Sequence, residues 1–457
     1  MRRLFYILFF LLPAIVYAQS GLYTFPALDS IWKNVGNAGF SAGAASCTSL
    51  AFSPSGQPYV AFGDSVNSWK STVMKFDGSN WVNVGNPGFS AGEVYYTSLA
   101  FSPSGQPYVA YNASPAAVMK FDGINWVSIG NNGFSSDEAD FESLAFSPSG
   151  EPFVAFQDWA NSKKATVMKF DGANWVYIGA AGFSSGKADY TSLAFNQSGQ
   201  PYVAYEDYGN SKKATVMKFD GNNWVNVGNA GFSAGNCWCT SLAFSQSDQP
   251  YVAYNDNQFP PYGKATVMKF DGNDWVNVGN AGFSAGEADW TSLAFTASGQ
   301  PYVAFKDYGN SEKATVMKFN GTTWMNVGLP GFSAGSVEFT SLAFSPTGEP
   351  YVAYLDYLND HKATVMRYDS VLTGINAQDV SKLSVYPDPA TNNITIETSG
   401  KTKESMLAIV NVAGQELFTS QITLPRTQLD ITSLPAGVYF LRLTSEKTVE
   451  VCKIIKW

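Results

Sequence analysis

From residue 31 to residue 369 the chain repeats short segments in which apolar side chains alternate with small or polar ones. In the copy running from Thr191 to Gly228 these segments read TSLAF, PYVAY, ATVMKF and NWVNVG. A period of two, with Val, Tyr and Phe prominent, predicts strands, and no stretch of the repeats carries a helical period. The segment TSLAF or a variant begins at Thr48, Thr97, Glu142, Thr191, Thr240, Thr291 and Thr340, at separations of 49, 45, 49, 49, 51 and 49 residues. SPSGQP and its variants separate the first two strands of each copy, and Asp-Gly (Asp77-Gly78, Asp220-Gly221) or Asn320-Gly321 separates the last two. Such residues close tight turns, with Gly supplying positive φ.

Four antiparallel strands in a unit of 45 to 51 residues match one blade of a β-propeller. The ends of the repeat region add a second signal. Its first piece is a lone fourth strand, IWKNVG, at residues 31–36, and its last is a third strand, ATVMRYD, at 363–369. Fourth strands start with Trp32, Trp81, Trp126, Trp175, Trp224, Trp275 and Trp324. The N-terminal strand is therefore expected to complete the blade begun at Thr340, closing the ring and removing its open edge. The fold expected is all-β: a seven-bladed β-propeller of four-stranded blades with terminal-strand closure, over residues 19–372. Recurring Trp, Met and Phe are read as packing between blades, because neighbours cover both faces of each blade.

After Asp369 the repeat stops. A polar connector at 373–382 leads into short Ile-, Val- and Thr-rich strands at 383–457, with the motifs LSVYPDPATNNITI, NVAGQEL, LPAGVYFLRL and VCKIIKW. This segment resembles the C-terminal sorting domain of proteins exported by the type IX (Por) secretion system of Bacteroidetes. Tyr386, Pro387, Pro389, Gly414, Gly437 and Lys453 carry the resemblance. Asp388 stands where the family usually has Asn, and Trp457 follows the usual Lys-Ile-Ile-Lys ending. The resemblance implies a small β-sandwich that the type IX machinery reads as an address, and a secreted or outer-membrane cell-surface location.

The N-terminus agrees with export. Arg2 and Arg3, an apolar run from Leu4 to Val16, and Val16-Tyr17-Ala18 before Gln19 read as a signal peptide over residues 1–18. That run is shorter than the roughly 20 residues a spanning helix needs, so no transmembrane helix is expected after its removal. The net charge of −9 argues against nucleic acid, whose phosphates need clustered Lys and Arg. Four cysteines are too few for a disulfide scaffold, and His361 is the only histidine, which speaks against a zinc site. No cofactor or metal is expected. Cys47, Cys237 and Cys239 read equally as buried thiols or as a local disulfide.

An antiparallel meander puts alternate turns at opposite ends of a blade. The tight turns then share one face of the disc. The long segments, GNAGFSAGEAD between blades and EDYGNSKK between second and third strands, share the other. Just before each first strand stand Cys47, Tyr96, Phe141, Tyr190, Cys239, Trp290 and Phe339, preceded by Ser46, Tyr95, Asp140, Asp189, Trp238, Asp289 and Glu338. With first strands innermost, aromatic rings and carboxylates would line the channel mouth. The ligand-binding candidates are Tyr96, Asp140, Phe141, Asp189, Tyr190, Trp238, Glu287, Asp289, Trp290, Glu338 and Phe339. Rings can stack on sugar CH groups while carboxylates accept hydroxyl protons. The competing reading has the aromatics plugging the channel and the acids solvated.

A second acid series, Asp64, Asp158, Asp207, Asp256, Asp307 and Asp356, ends the second strands. Its spacing departs from a calcium loop, and loop capping or pairing with the nearby Lys163, Lys212, Lys264, Lys313 and Lys362 is expected instead. Enzyme readings lack parts. The repeats hold one arginine, Arg367, against the Arg cluster a sialidase needs. Nucleophile chemistry has only His361 to draw on, and the near-identical blades offer no copy specialised for catalysis. The reading is a non-catalytic surface or secreted propeller that binds glycan or protein. The alternatives are a carbohydrate-active enzyme with a carboxylate pair and a purely structural protein.

Overall fold

The computed structural model describes residues 31–130, 133–259, 263–369, 383–398, 405–411, 416–444 and 449–457. The expected signal peptide, the connector and Gly414 lie outside them. The chain divides into two compact units, residues 1–371 and 372–457.

In the first blade Ala45–Phe52, Pro58–Asp64, Lys70–Phe76 and Trp81–Asn83 pair antiparallel in chain order. Five sheets of the same order follow, at 97–128, 139–177, 188–226, 237–277 and 288–326. The seventh takes Val337–Phe344, Pro350–Asp356 and Lys362–Asp369 from the end of the region, and Ile31–Asn34 as its outermost strand. Ile31 stands opposite Asp369 and Asn34 opposite Met366. Lys33 Nζ lies 2.7 Å from the Asp369 carboxylate.

Two rings of hydrogen bonds between blades close the disc. At the centre a leucine amide donates to a serine Oγ on the preceding first strand at 2.9–3.0 Å, seven times, including Leu50 to Ser341 across the join. At the rim each Trp Nε1 donates to the carbonyl just past the preceding blade's outer strand at 2.6–3.0 Å, including Trp32 to Val327 and Trp81 to Val35. Six of these indoles stack on the Phe of a GFS segment with centroids 4.1–4.4 Å apart. Such a pair contributes about 0.5–1.5 kcal/mol beyond its area burial. The Trp175–Phe134 pair is tilted, at 5.3 Å. Second strands such as Pro201–Asp207 are buried along their whole length, which explains PYVAY: both faces meet another blade.

The C-terminal unit holds a three-stranded sheet, Leu383–Tyr386, Asn393–Thr398 and Arg426–Asp430, and a four-stranded one in the order Glu416–Ile422, Ser405–Asn411, Gly437–Thr444, Val449–Lys456. Ile394, Ile396, Leu407, Ile409, Ile422, Leu441 and Ile454 share one buried core between them, the expected sandwich. Its two signature ends meet. Asp388 Oδ1 accepts the Ile455 amide at 2.7 Å, and Ala390 pairs with the last residues through Ile455 and Trp457. Either Asp or Asn at 388 offers that oxygen. Tyr386 donates to Glu397 at 2.5 Å, while Pro387, Pro389 and Lys453 lie on the same meeting segments.

Candidate functional site

The channel mouth is built by a backbone irregularity. In the first blade Ser46 pairs with Gly63 and Ser49 with Ala61, so one extra residue bulges from the first strand. Five other first strands share the bulge. At its crest Cys47, Phe141, Tyr190, Cys239, Trp290 and Phe339 take φ of 49–57°, a left-handed conformation that costs a non-glycine residue about 1–2 kcal/mol. Bulges re-aim side chains in this way. Together with Tyr96 these side chains line an axial cavity of about 200 Å³.

The rings also pack on one another. Centroids are 4.6 Å apart for Tyr96 and Phe141, 4.7 Å for Phe141 and Tyr190, and 4.3 Å for Trp290 and Phe339. Beneath them Thr48, Thr97, Thr191, Thr240, Thr291 and Thr340 each donate to the carbonyl of the preceding blade's mouth residue. The seventh place belongs to Glu142, which is 6% exposed and whose carboxyl oxygens meet no donor from any other residue. Burial pushes its pKa well up against the lowering effect of its own backbone amide, and Asp140 and Glu138 add to the rise. The third blade thus differs from the other six at this place.

The mouth carboxylates already accept from neighbouring side chains. Asp140 accepts from Trp159 Nε1 at 2.9 Å. Asp189 pairs with Lys187 at 2.8 Å and accepts from the Gln157 amide. Asp289 accepts from Asn255 at 3.0 Å, and burial raises its pKa. Glu338 accepts from Tyr357 at 2.9 Å. Glu287 is also raised, by burial and then by Asp289. Trp238 stays 41% exposed.

Their partners are the residues that sequence reasoning missed. Gly63, Gln157, Glu206, Asn255, Lys306 and Leu355 stand opposite the mouth acids and their equivalents, one place before the second-strand aspartate. This is the variable place in an otherwise repeated strand, and that was the available signal. Gln157, Asn255 and Lys306 reach the acid of the next blade. Glu206 meets no such acid, since the next blade offers Trp238 there. One oxygen of Glu206 is buried without a partner, and burial, followed by Asp189, lifts its pKa to about 7.

Four of the second-strand aspartates, Asp64, Asp207, Asp307 and Asp356, cap short 3-10 turns, while Asp158 bonds Asn161 and Thr166 without capping an amide. Asp207 accepts from the Gly209 amide at 2.9 Å, from Asn210 at 2.7 Å and from Thr215 at 2.9 Å, and Asp307 and Asp356 repeat the set. Capping is their role. The expected lysine pairing is replaced by Asn and Thr, and Lys163 instead lies 3.4 Å over the Trp159 ring. These turns carry a feature the sequence reading passed over. Trp159, Tyr208, Tyr308 and Tyr357 follow second-strand aspartates and are 36–42% exposed, forming a partial outer aromatic ring on the loop face over four of the seven blades, with lysine Nζ atoms 3.4–4.9 Å over Trp159, Tyr208 and Tyr308. Cys47, Cys237, Cys239 and Cys452 are all free thiols, so no local disulfide forms; burial first of all pushes Cys239 up to about 12.

Among the described residues no helix is long and apolar enough to cross a membrane. Residues 384–457 match the secretion system C-terminal sorting domain. The chain is thus an exported β-propeller protein, secreted or held at the cell surface, with the address of the type IX machinery at its end.

Similar solved structures include PorZ, an essential bacterial surface component of the type IX secretion system of Porphyromonas gingivalis. It is 12% identical with a TM-score of 0.49, over 89% of this chain and 59% of that one. The extracellular domain of BT4673 from B. thetaiotaomicron is 10% identical with a TM-score of 0.47, over 94% and 60%. YCF48 bound to D1 peptide is 12% identical with a TM-score of 0.49, over 75% and 97%. No curated protein matches the sequence.

Proposed function

We propose that this protein is a non-catalytic binding module that holds a glycan or a protein on the loop face of its propeller. Export would begin with a signal peptide at 1–18, leaving a propeller at 19–372, a connector at 373–382 and the sorting domain at 383–457. The observation that carries the reading is the outer ring of Trp159, Tyr208, Tyr308 and Tyr357. Exposed aromatic rings repeated on one face are platforms for sugar rings and anchors for protein partners. The inner candidates Tyr96, Phe141, Tyr190, Trp290 and Phe339 lie at the mouth on that face, with Trp238 and Glu287 beside it.

A glycan array and a surface-protein capture with the full mature chain test this. Replacing Trp159, Tyr208, Tyr308 and Tyr357 together by Ala is expected to weaken the captured ligand at least about tenfold. Unchanged binding would sink the reading. Glu206 favours a second one, a carbohydrate-active enzyme, because its pKa of about 7 suits a general acid. Its cross-strand partner Asp189 is already tied to Lys187 and Gln157, which leaves no free second carboxylate opposite it. Glycoside hydrolysis abolished by Glu206→Gln would establish that alternative.

A further inference from the structure

The threonine layer of the axial cavity departs from seven-fold repetition at one place. Six threonine hydroxyls commit their protons to main-chain carbonyls, as in Thr48 to Phe339 at 2.6 Å and Thr97 to Cys47 at 2.5 Å. They therefore turn lone pairs toward the cavity. In the third blade Glu142 takes the threonine's place, buried and with no donor from another residue on either oxygen. Among the described residues no Lys, Arg or His lines the space. Above it stand the rings of Tyr96, Phe141, Tyr190, Trp290 and Phe339. Threonine acceptors and aromatic side chains thus surround one carboxyl to which no other residue donates.

We propose that this cavity binds a small organic ammonium ion, a primary or methylated alkylammonium, with Glu142 as counter-ion and the aromatic rings as its cage. Aromatic faces attract such cations through the ring quadrupole, most strongly where water is excluded. An entering cation supplies the counter-charge that lets a buried carboxyl ionise. The cavity of about 200 Å³ has room for a group the size of roughly six waters, which fits tetramethylammonium or the tip of a lysine side chain. Calcium sites draw on about six to eight oxygens with carboxylates prominent among them, and Glu142 is the one carboxylate among the lining residues. This goes beyond the loop-face reading, because it concerns the axis and not the outer ring.

The test is calorimetric titration of the full mature chain with tetramethylammonium, n-butylammonium, a short lysine-bearing peptide and the uncharged isostere 3,3-dimethylbutanol. The ammonium ions are expected to bind in the millimolar range or tighter, and the alcohol at least about tenfold more weakly. Glu142→Thr and Glu142→Gln should each lose at least about tenfold. The threonine variant installs the residue that six other blades carry there, so its fold is safe. A peptide that binds more tightly than butylammonium identifies a partner's lysine as the source, and equal affinity identifies a free amine; both support the site. An alcohol that binds as well as the cations, wild-type affinity in both Glu142 variants, or no heat at roughly 50 mM ammonium overturns it. Binding through Trp159 and Tyr208 should survive either Glu142 change, which separates failure here from failure of the loop-face reading.

Discussion

Glu206 has its carboxyl out of water and one oxygen unpaired, so its ionisation opposes folding. Asp189 adds repulsion, while Lys212 and Lys187 oppose the shift. With the pKa moved from 4.5 to about 7, the folded chain keeps a proton that the unfolded chain has released. Stability contributed by this group is full below about pH 4.5 and is lost as pH rises to about 7. The shift corresponds to about 3 kcal/mol. Glu206→Gln is expected to stabilise the propeller by up to that amount at pH 8 and to change nothing at pH 4. Urea unfolding at the two pH values measures it, and an equal difference at both would show that Glu206 is paired.

At the level of the blade, the rim indoles act as donors as well as stacking partners. Trp224→Phe keeps an aromatic ring against Phe183 but leaves the Ile178 carbonyl without the indole N–H. It is expected to cost about 1–2 kcal/mol, read as a lower denaturation midpoint; no change would show that the hydrogen bond contributes nothing net. The strands, the turns and the mouth positions of residues such as Tyr190 and Trp290 were legible in the sequence, because period-two alternation and copy-to-copy comparison report them directly. Three things were not. The bulge that turns Phe141 and Tyr190 to the axis depends on φ, which their side-chain chemistry does not announce. The engagement of Asp140 and Asp189 depends on Trp159 and Gln157, which lie 19 and 32 residues away. Glu142 reads as a tolerated variant of threonine until its burial is known.

For the whole molecule, closure rests on Ile31–Asn34 reaching the far end of the ring. Deleting residues 31–36 exposes the edge of Lys362–Asp369 and removes the Trp32 indole from Val327. An unpaired edge recruits other strands, so this variant is expected to aggregate, as light scattering would show; a monodisperse, fully folded product would mean that closure is dispensable. Removing residues 384–457 is expected to leave the propeller inside the cell envelope, with none at the surface or in the medium on fractionation. Surface delivery without the segment would place the address elsewhere.

The strand that leads toward the sorting domain, Lys362–Asp369, is not the outermost of its sheet. It is bonded to Pro350–Asp356 on one side and to Ile31–Asn34 on the other. Tension applied through the C-terminal segment therefore enters the propeller along a strand held by two ladders, and must shear both before a blade yields. The N-terminal strand, beyond sealing the circle, doubles the grip on the point where the tether leaves.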